Sequence, residues 1–189
     1  MMLDRRDFVE RLLLERGDLL AVCGLGSATY DVAAAGDHPL NFYLWGAMGG
    51  TAMIGLGLAL ARPDRRVAVI TGDGDMLMGM GSLATIGVKG PKNLAIVVLD
   101  NGRYGETGMQ PSHTHAGVDL VAVALACQFK QARTVSRPEE APEVRALLHE
   151  GEGPILVNAK IRPEDVPRVL PLRDGRAIKQ RFVAALNSA

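Results

Sequence analysis

The sequence predicts an α/β protein: a single three-layer α/β/α domain built on a mainly parallel sheet, covering residues 1–189 with a helical tail from about 174 to 189. Three observations lead there. Short runs rich in β-branched apolar residues, Val67–Thr71, Leu94–Leu99 and Pro154–Ile161, read as strands buried on both faces. Helix-length segments with apolar residues at helical spacing separate them. Hydrophobic residues make up 48% of the chain and charged residues 22%, which at this length supports one sizeable core rather than disorder. There is no internal repeat, low-complexity segment or interdomain linker.

The elements follow in order. Met1–Arg16 spaces Phe8, Val9, Leu12 and Leu13 for a helix, and its scattered charges exclude a signal peptide. Gly17 ends it, and Asp18–Cys23 reads as the first strand. Gly24 and Gly26 then make a tight strand-to-helix turn before a short helix to Ala35. They are not a dinucleotide fingerprint, because Thr29 stands where a third glycine is needed and no acidic residue closes a second strand. Residues 39–61 carry no charge, and about 20 apolar residues can span a bilayer. Five glycines with Asn41 and Thr51 dilute the stretch, so Thr51–Ala61 reads as a buried helix against a sheet. After Val67–Thr71 comes a Met- and Leu-rich helix through Ile86, broken by Gly90-Pro91 before Leu94–Leu99. Gly102–Gly117 is a polar, glycine-rich loop of the length that is usually functional. Asp119 caps a helix to Ala126, Phe129–Val135 is a strand, Pro138–His149 a helix, Pro154–Ile161 the last strand, and Asp174–Leu186 an amphipathic helix.

Composition excludes some functions. Lys+Arg and Asp+Glu balance at 21 each, and without a basic run nucleic-acid binding has no electrostatic support. Cys23 and Cys127 both lie in apolar runs, which points to free thiols in a reducing cytoplasm rather than a disulfide. No membrane association is expected.

The chemistry concentrates between Thr71 and Asn101. If the two flanking strands are parallel neighbours, their polar ends meet at one sheet edge, where open α/β sheets bind ligands. Asp73 and Asn101 offer oxygens suited to Mg²⁺. Gly72 and Gly74 let backbone approach a ligand closely. The N–H groups of Gly74, Asp75 and Met76 open a helix, a favourable place for phosphate.

Gly72-Asp-Gly74, followed by a helix, a strand and Asn101, resembles the diphosphate motif of the thiamine-diphosphate enzymes. Together with FYLWGAMGG and LDNGRYGETGMQ it is similar to the diphosphate-binding half of the 2-oxo-acid decarboxylases acting on sulfopyruvate and phosphonopyruvate. The likeness runs from about Gly24 to Ile161. It implies the thiamine-diphosphate-binding fold, with thiamine diphosphate and Mg²⁺ as cofactors. Carried over by position, Asp73, Asn101 and the backbone carbonyl of Arg103 ligate the metal. Met48 supports the bent cofactor, the Gly46 carbonyl orients its amino group, and Gly72, Gly74, Asp75, Met76 and Tyr104 line the diphosphate. Two positions depart from the pattern: Asp75 replaces a Ser or Ala, and Ala47 a Ser. A carboxylate at position 75 repels phosphate unless it points away, is protonated or caps the helix.

In this family a glutamate on a separate pyrimidine-binding domain activates the cofactor, and the resemblance leaves no room for that domain here. Glu106 lies on the diphosphate side. The expectation is therefore one subunit of an α₂β₂ or larger assembly, whose α-type, pyrimidine-binding partner brings the glutamate, acting on a small 2-oxo acid with a sulfonate or phosphonate tail. His113 and His115 are candidate catalytic acids or bases in the loop, with Arg103, Glu106 and Gln110 nearby. The alternatives are a subunit of an acetolactate-synthase-like carboligase, and a cofactor-binding protein without catalysis.

Overall fold

The computed structural model describes residues 2–187. Met1, where the sequence suggests the first helix begins, and the last two residues of the tail lie outside them. Helices are α1 (Arg5–Leu13), α2 (Ser27–Ala34), α3 (Thr51–Ala61), α4 (Asp73–Met78), α5 (Ser82–Lys89), α6 (Leu120–Ala126), α7 (Ala141–Glu150) and α8 (Gly175–Asn187). Strands are β1 (Leu20–Cys23), β2 (Asn41–Tyr43), β3 (Val67–Gly72), β4 (Leu94–Asp100), β5 (Arg103–Tyr104), β6 (Gln110–Pro111), β7 (Gln131–Val135) and β8 (Ile155–Lys160). Six strands form one sheet in the order β2-β1-β3-β4-β8-β7, with every pair parallel.

Alternation along the strands divides the core in two. Ala21, Cys23, Ala68, Ile70, Ala95, Val97 and Val157 face a layer containing Phe8, Leu12, Val32, Val144 and Leu148 of α1, α2 and α7. Leu20, Val22, Val69, Ile96, Val98 and Leu156 face Leu56, Met76, Leu83, Ile86 and Leu120 on the other side. Strands buried on both faces need helices on both, which gives three layers. Helix α8 packs against β2, where Phe182 meets Phe42 edge-on at 5.5 Å. It thus covers an edge strand that would otherwise offer unpaired backbone. Among the described residues no helix is long and apolar enough to cross a membrane. Both cysteines are free; Cys23 is buried and Cys127 half-buried.

Four local expectations change. Asn41–Tyr43, given no secondary structure from sequence, is a strand in register with β1. The single Met-rich helix is two, α4 and α5, parted at Gly79-Met80-Gly81. Helix continuity fails there because the Gly79 Cα faces the Gly49 carbonyl, and a Cβ would lie 2.1 Å from that oxygen. The 102–117 segment is not structureless: β5 and β6 pair antiparallel across a one-turn 3₁₀ helix, Gly105–Thr107, with Gly108 and Met109 at positive φ. The helix expected from Pro138 begins at Ala141, after a short 3₁₀ turn. Asp119 caps α6 as expected, accepting the N–H groups of Val121 and Ala122.

Candidate active site

β3 and β4 lie side by side, with Gly72 opposite Leu99, so Asp73 and Asn101 emerge at the same sheet edge. The chain leaves β1 toward β2 on one side, while β3 leads to β4 on the other. This reversal of strand order creates a crevice at the carboxyl ends of β1 and β3. A cavity of about 170 Å³ opens there; its wall includes Met48, Gly74, Asp73, Asn101, Arg103 and Tyr104.

Asp73 is the more deeply buried of two buried carboxylates in this wall, 2% exposed against 7% for Asp75. Its Oδ2 accepts hydrogen bonds from Ser112 Oγ and, at 3.1 Å, Thr114 Oγ1. Thr114 Oγ1 also lies 2.8 Å from Asp100 Oδ1, and the two hydroxyls are 2.9 Å apart. A hydroxyl pair thus links two buried carboxylates. Asp100 is matched by Lys160 and by Asn158 Nδ2, which donates at 3.0 Å. Asp73 meets no cationic side chain within ion-pair distance among the described residues. Burial raises its pKa above the ordinary carboxylate value, the hydrogen bond from Ser112 works against that rise, and the charge of Asp100 adds to it. A carboxylate so placed is suited to a cation.

Asn101 Oδ1 accepts the Arg103 N–H at 2.9 Å, which folds the chain into a tight turn and sets the Arg103 backbone beside it. Among the described residues no group of three His, Cys, Asp or Glu side chains could hold a metal. The donor set that the site does offer is one carboxylate, one amide oxygen and backbone carbonyls, hard oxygens of the kind Mg²⁺ accepts when phosphate oxygens and water complete its shell. Gly74 gives close access: a Cβ there would lie 2.8 Å from the Tyr104 ring and 3.4 Å from Met48 Cε. A cradle kept open at Gly74, with an unmatched carboxylate at its floor, fits a diphosphate carried on Mg²⁺.

The extra carboxylate of the turn, Asp75, also lines the cavity, but its oxygens are taken by other partners. One of its oxygens accepts the Gly49 N–H and the other the Thr71 hydroxyl. It therefore fastens the Gly46–Gly50 turn, which carries Met48, to the start of α4. Gly24 belongs to the same arrangement, since a Cβ there would lie 2.4 Å from Thr71 Oγ1. Ala47 sits in this turn at φ 58°, a left-handed conformation that disfavours side chains.

The remaining residues singled out from sequence are spread around the cavity. Gly72 and Met48 lie in its wall, Met48 being 39% exposed. The Met76 side chain is buried in the core, so only its backbone faces this region. Gly46 is exposed and outside the wall. His113 also stands outside, with Nδ1 3.1 Å from the Tyr104 hydroxyl, and reaches the cavity through that tyrosine. His115 lines a different depression together with Lys160 and Ser136. Glu106 is in the wall and pairs with Arg168 at 3.5 Å. Sequence reasoning missed Ser112, Thr114, Asp100 and Arg5, the last a buried cation in the cavity wall.

Comparison with known proteins bears on the family and the fold. The family model described as "Thiamine pyrophosphate enzyme, C-terminal TPP binding domain" matches residues 24–159. Sulfopyruvate decarboxylase subunit beta of Methanothermobacter thermautotrophicus is 37% identical over 191 residues, covering all of this chain and 98% of that protein. Phosphonopyruvate decarboxylase of Streptomyces viridochromogenes is 38% identical over 90% of this chain, which spans only 44% of that protein's length. Among solved structures, a 2-oxoglutarate:ferredoxin oxidoreductase from Magnetococcus marinus superposes with TM-score 0.66 at 21% identity, covering 94% of this chain and 72% of that one. At that identity the likeness speaks to the fold.

Proposed function

The chain belongs to the thiamine pyrophosphate enzymes, and from that premise we propose that it is the diphosphate-binding subunit of a two-component, thiamine-diphosphate- and Mg²⁺-dependent decarboxylase of a small 2-oxo acid. The observation that carries the reading is the juxtaposition of Asp73, Asn101 and the open cradle at Gly74 in one cavity wall, with Met48 beside them. The likeness over nearly the full length of a sulfopyruvate decarboxylase β subunit supports both the division of labour and a sulfonate- or phosphonate-bearing substrate.

The bound cofactor supplies the electron sink for loss of CO₂. The work of this chain is to hold and orient. Asp73, Asn101 and the Arg103 carbonyl are the proposed Mg²⁺ ligands. Ser112 and Thr114 fix the Asp73 carboxylate in place. Gly72, Gly74, Asp75 and Met76 offer backbone to the diphosphate, and the Tyr104 ring closes its side. Met48, held by a turn that Asp75 fastens, would support the cofactor, and the Gly46 carbonyl would accept from its amino group. His113, coupled to Tyr104, and His115 are the proposed proton-handling residues, and Glu106 remains with Arg168. The activating glutamate comes from a pyrimidine-binding α-type partner in an α₂β₂ or larger cytoplasmic assembly.

The test titrates thiamine diphosphate with Mg²⁺ into the chain, alone and with its partner, beside Asp73→Ala, and then screens 2-oxo acids for CO₂ release. Metal-dependent binding that tightens with the partner and is lost in the variant is the expected result. No binding in the verified complex overturns the reading.

A further inference from the structure

Resting on that function, we infer that Arg5 forms an oxyanion-binding subsite in the wall of the candidate active site, taking a phosphate-, phosphonate- or sulfonate-type group. Arg5 opens α1 directly after the N-cap Asp4 and two residues after Leu3, whose N–H donates to the Lys160 carbonyl at 3.0 Å and so anchors this corner to the carboxyl end of β8. The Arg5 side chain is 6% exposed, and its Nε donates to Asp31 Oδ2 at 2.6 Å. Asp31 is fully buried and is shared with Arg6, whose Nε lies 3.6 Å from Oδ1. Two guanidinium groups thus share one carboxylate, while the neighbouring Arg162 is shared by Asp4 and Glu164.

The unfilled donors of Arg5 have a direction. With Nε pinned, the terminal Nη1 and Nη2 of Arg5 donate to no acceptor among the described residues, although Arg5 lines the cavity that also holds Gly74 and Asn101. It also lines an adjoining cavity bounded by Tyr30, Glu106 and Arg168. Ser27 belongs to the wall of both. Of the carboxylates around the second cavity, Asp31 is held by Arg5 and Arg6, Glu106 by Arg168 and Glu164 by Arg162; Asp165 has no ion pair among the described residues. Burying a guanidinium is costly unless its donors are filled, and a fork of parallel N–H groups matches the oxygens of an oxyanion. Ser27, in the wall of both cavities, brings a hydroxyl to the same lining, and a tetrahedral group has a third oxygen for it where a planar carboxylate has none. Arg6 shares Asp31 but is absent from both walls, so it serves as an internal control.

The oxyanion has two possible sources, the cofactor's diphosphate and the tail of the substrate. The experiment uses the full chain as wild type, Arg5→Gln, Arg5→Lys and Arg6→Gln, each checked by thermal melting. Inorganic phosphate, thiamine diphosphate with Mg²⁺, and then methylphosphonate and methanesulfonate on the cofactor-loaded chain, are titrated by calorimetry. Arg5→Lys keeps a cation beside Asp31 and loses the fork, so it reports on the subsite even where Arg5→Gln does not fold. If Arg5 holds the diphosphate, its variants weaken cofactor binding about 10- to 100-fold, the scale of charge-assisted hydrogen bonds, while Arg6→Gln does not. If it holds the substrate tail, cofactor affinity stays and the methylphosphonate or methanesulfonate heat disappears. Unchanged binding of every probe in folded Arg5→Lys, or equal losses in Arg6→Gln, overturns the inference. Arg5-dependent phosphate binding in a chain that takes no thiamine diphosphate even with its partner retains the subsite and rejects the proposed function.

Discussion

Replacing Thr114 by valine removes one hydroxyl from the pair that joins Asp73 to Asp100 and keeps the side chain's shape. The hydroxyl carries a single proton and lies 2.8 Å from Asp100 Oδ1, 3.1 Å from Asp73 Oδ2 and 2.9 Å from Ser112 Oγ. Asp73 is 2% and Asp100 1% exposed, so water does not readily replace it. A hydrogen bond to a buried charged group is worth about 1.5–3 kcal/mol. For a domain of this size, a loss of ~2 kcal/mol lowers the melting temperature by about 4–8 °C. Asp100 retains Lys160, Asn158 and the Gly102 N–H, whereas Asp73 has, among the described residues, only the two hydroxyls as side-chain donors, so Ser112→Ala is expected to cost at least as much. Because both hydroxyls serve one carboxylate, the double variant is expected to depart from additivity by about 0.5 kcal/mol or more. Urea unfolding in metal-free buffer gives the three energies, and titration of thiamine diphosphate with Mg²⁺ gives the functional cost. A Thr114→Val chain within about 0.5 kcal/mol of wild type would refute the shared clamp, as would strictly additive losses.

Three other outcomes follow from the geometry. Gly79→Ala puts a Cβ 2.1 Å from the Gly49 carbonyl, so the turn carrying Met48 has to move; overpacking of this kind costs about 1–3 kcal/mol. Its affinity for thiamine diphosphate is expected to fall at least about tenfold, and an unchanged titration contradicts the role given to that turn. Burial pushes the Cys23 thiol up to about 12, so brief treatment of the native chain with iodoacetamide at mild alkaline pH is expected to modify Cys127 first; mass spectrometry reads the ratio, and equal labelling contradicts it. Burial works against the Asp37 carboxylate, but hydrogen bonds from Arg181 and Tyr43 outweigh it and hold its pKa below the ordinary value. Its contribution is therefore full above about pH 4 and fades as pH falls through the lower folded value. Melts across the acid range are expected to show that loss in wild type and a shallower one in Arg181→Met; identical slopes would remove the pair's role in seating α8.

The sheet was most legible where strands are buried on both faces. Val67–Thr71 and Leu94–Leu99 are continuous apolar runs because helices cover both sides of them, and their polar ends mark the candidate site. Asn41–Tyr43 gave no such signal. It is a three-residue edge strand, and its Asn41 amide donates to the Tyr43 hydroxyl at 2.8 Å, a compensation visible only after folding. The apolar period ran unbroken across Gly79-Met80-Gly81, because what divides the helix is a distant backbone, the Gly49 carbonyl. For the same reason Asp73 and Asn101 could be picked from a local motif, while Ser112, Thr114 and Arg5 could not. Their polarity is ordinary for a loop and a helix start, and only the fold brings them to the carboxylate or the cavity.

The order of strands also sets a timetable for synthesis. β3 and β4 are joined by a short crossover and can pair early, bringing Asp73 and Asn101 together. The partners of Asp100, Asn158 and Lys160, lie on β8, which enters the sheet between β4 and the already synthesised β7. Until that strand arrives, a carboxylate destined for burial has no counter-charge and β4 has an open edge. Chains halted before Ile155 are therefore expected to remain open to proteolysis at β4, and those extended past Ile161 to resist it. The pocket's two ends are written early in the message, but the charge behind them is balanced only when the last strand is read.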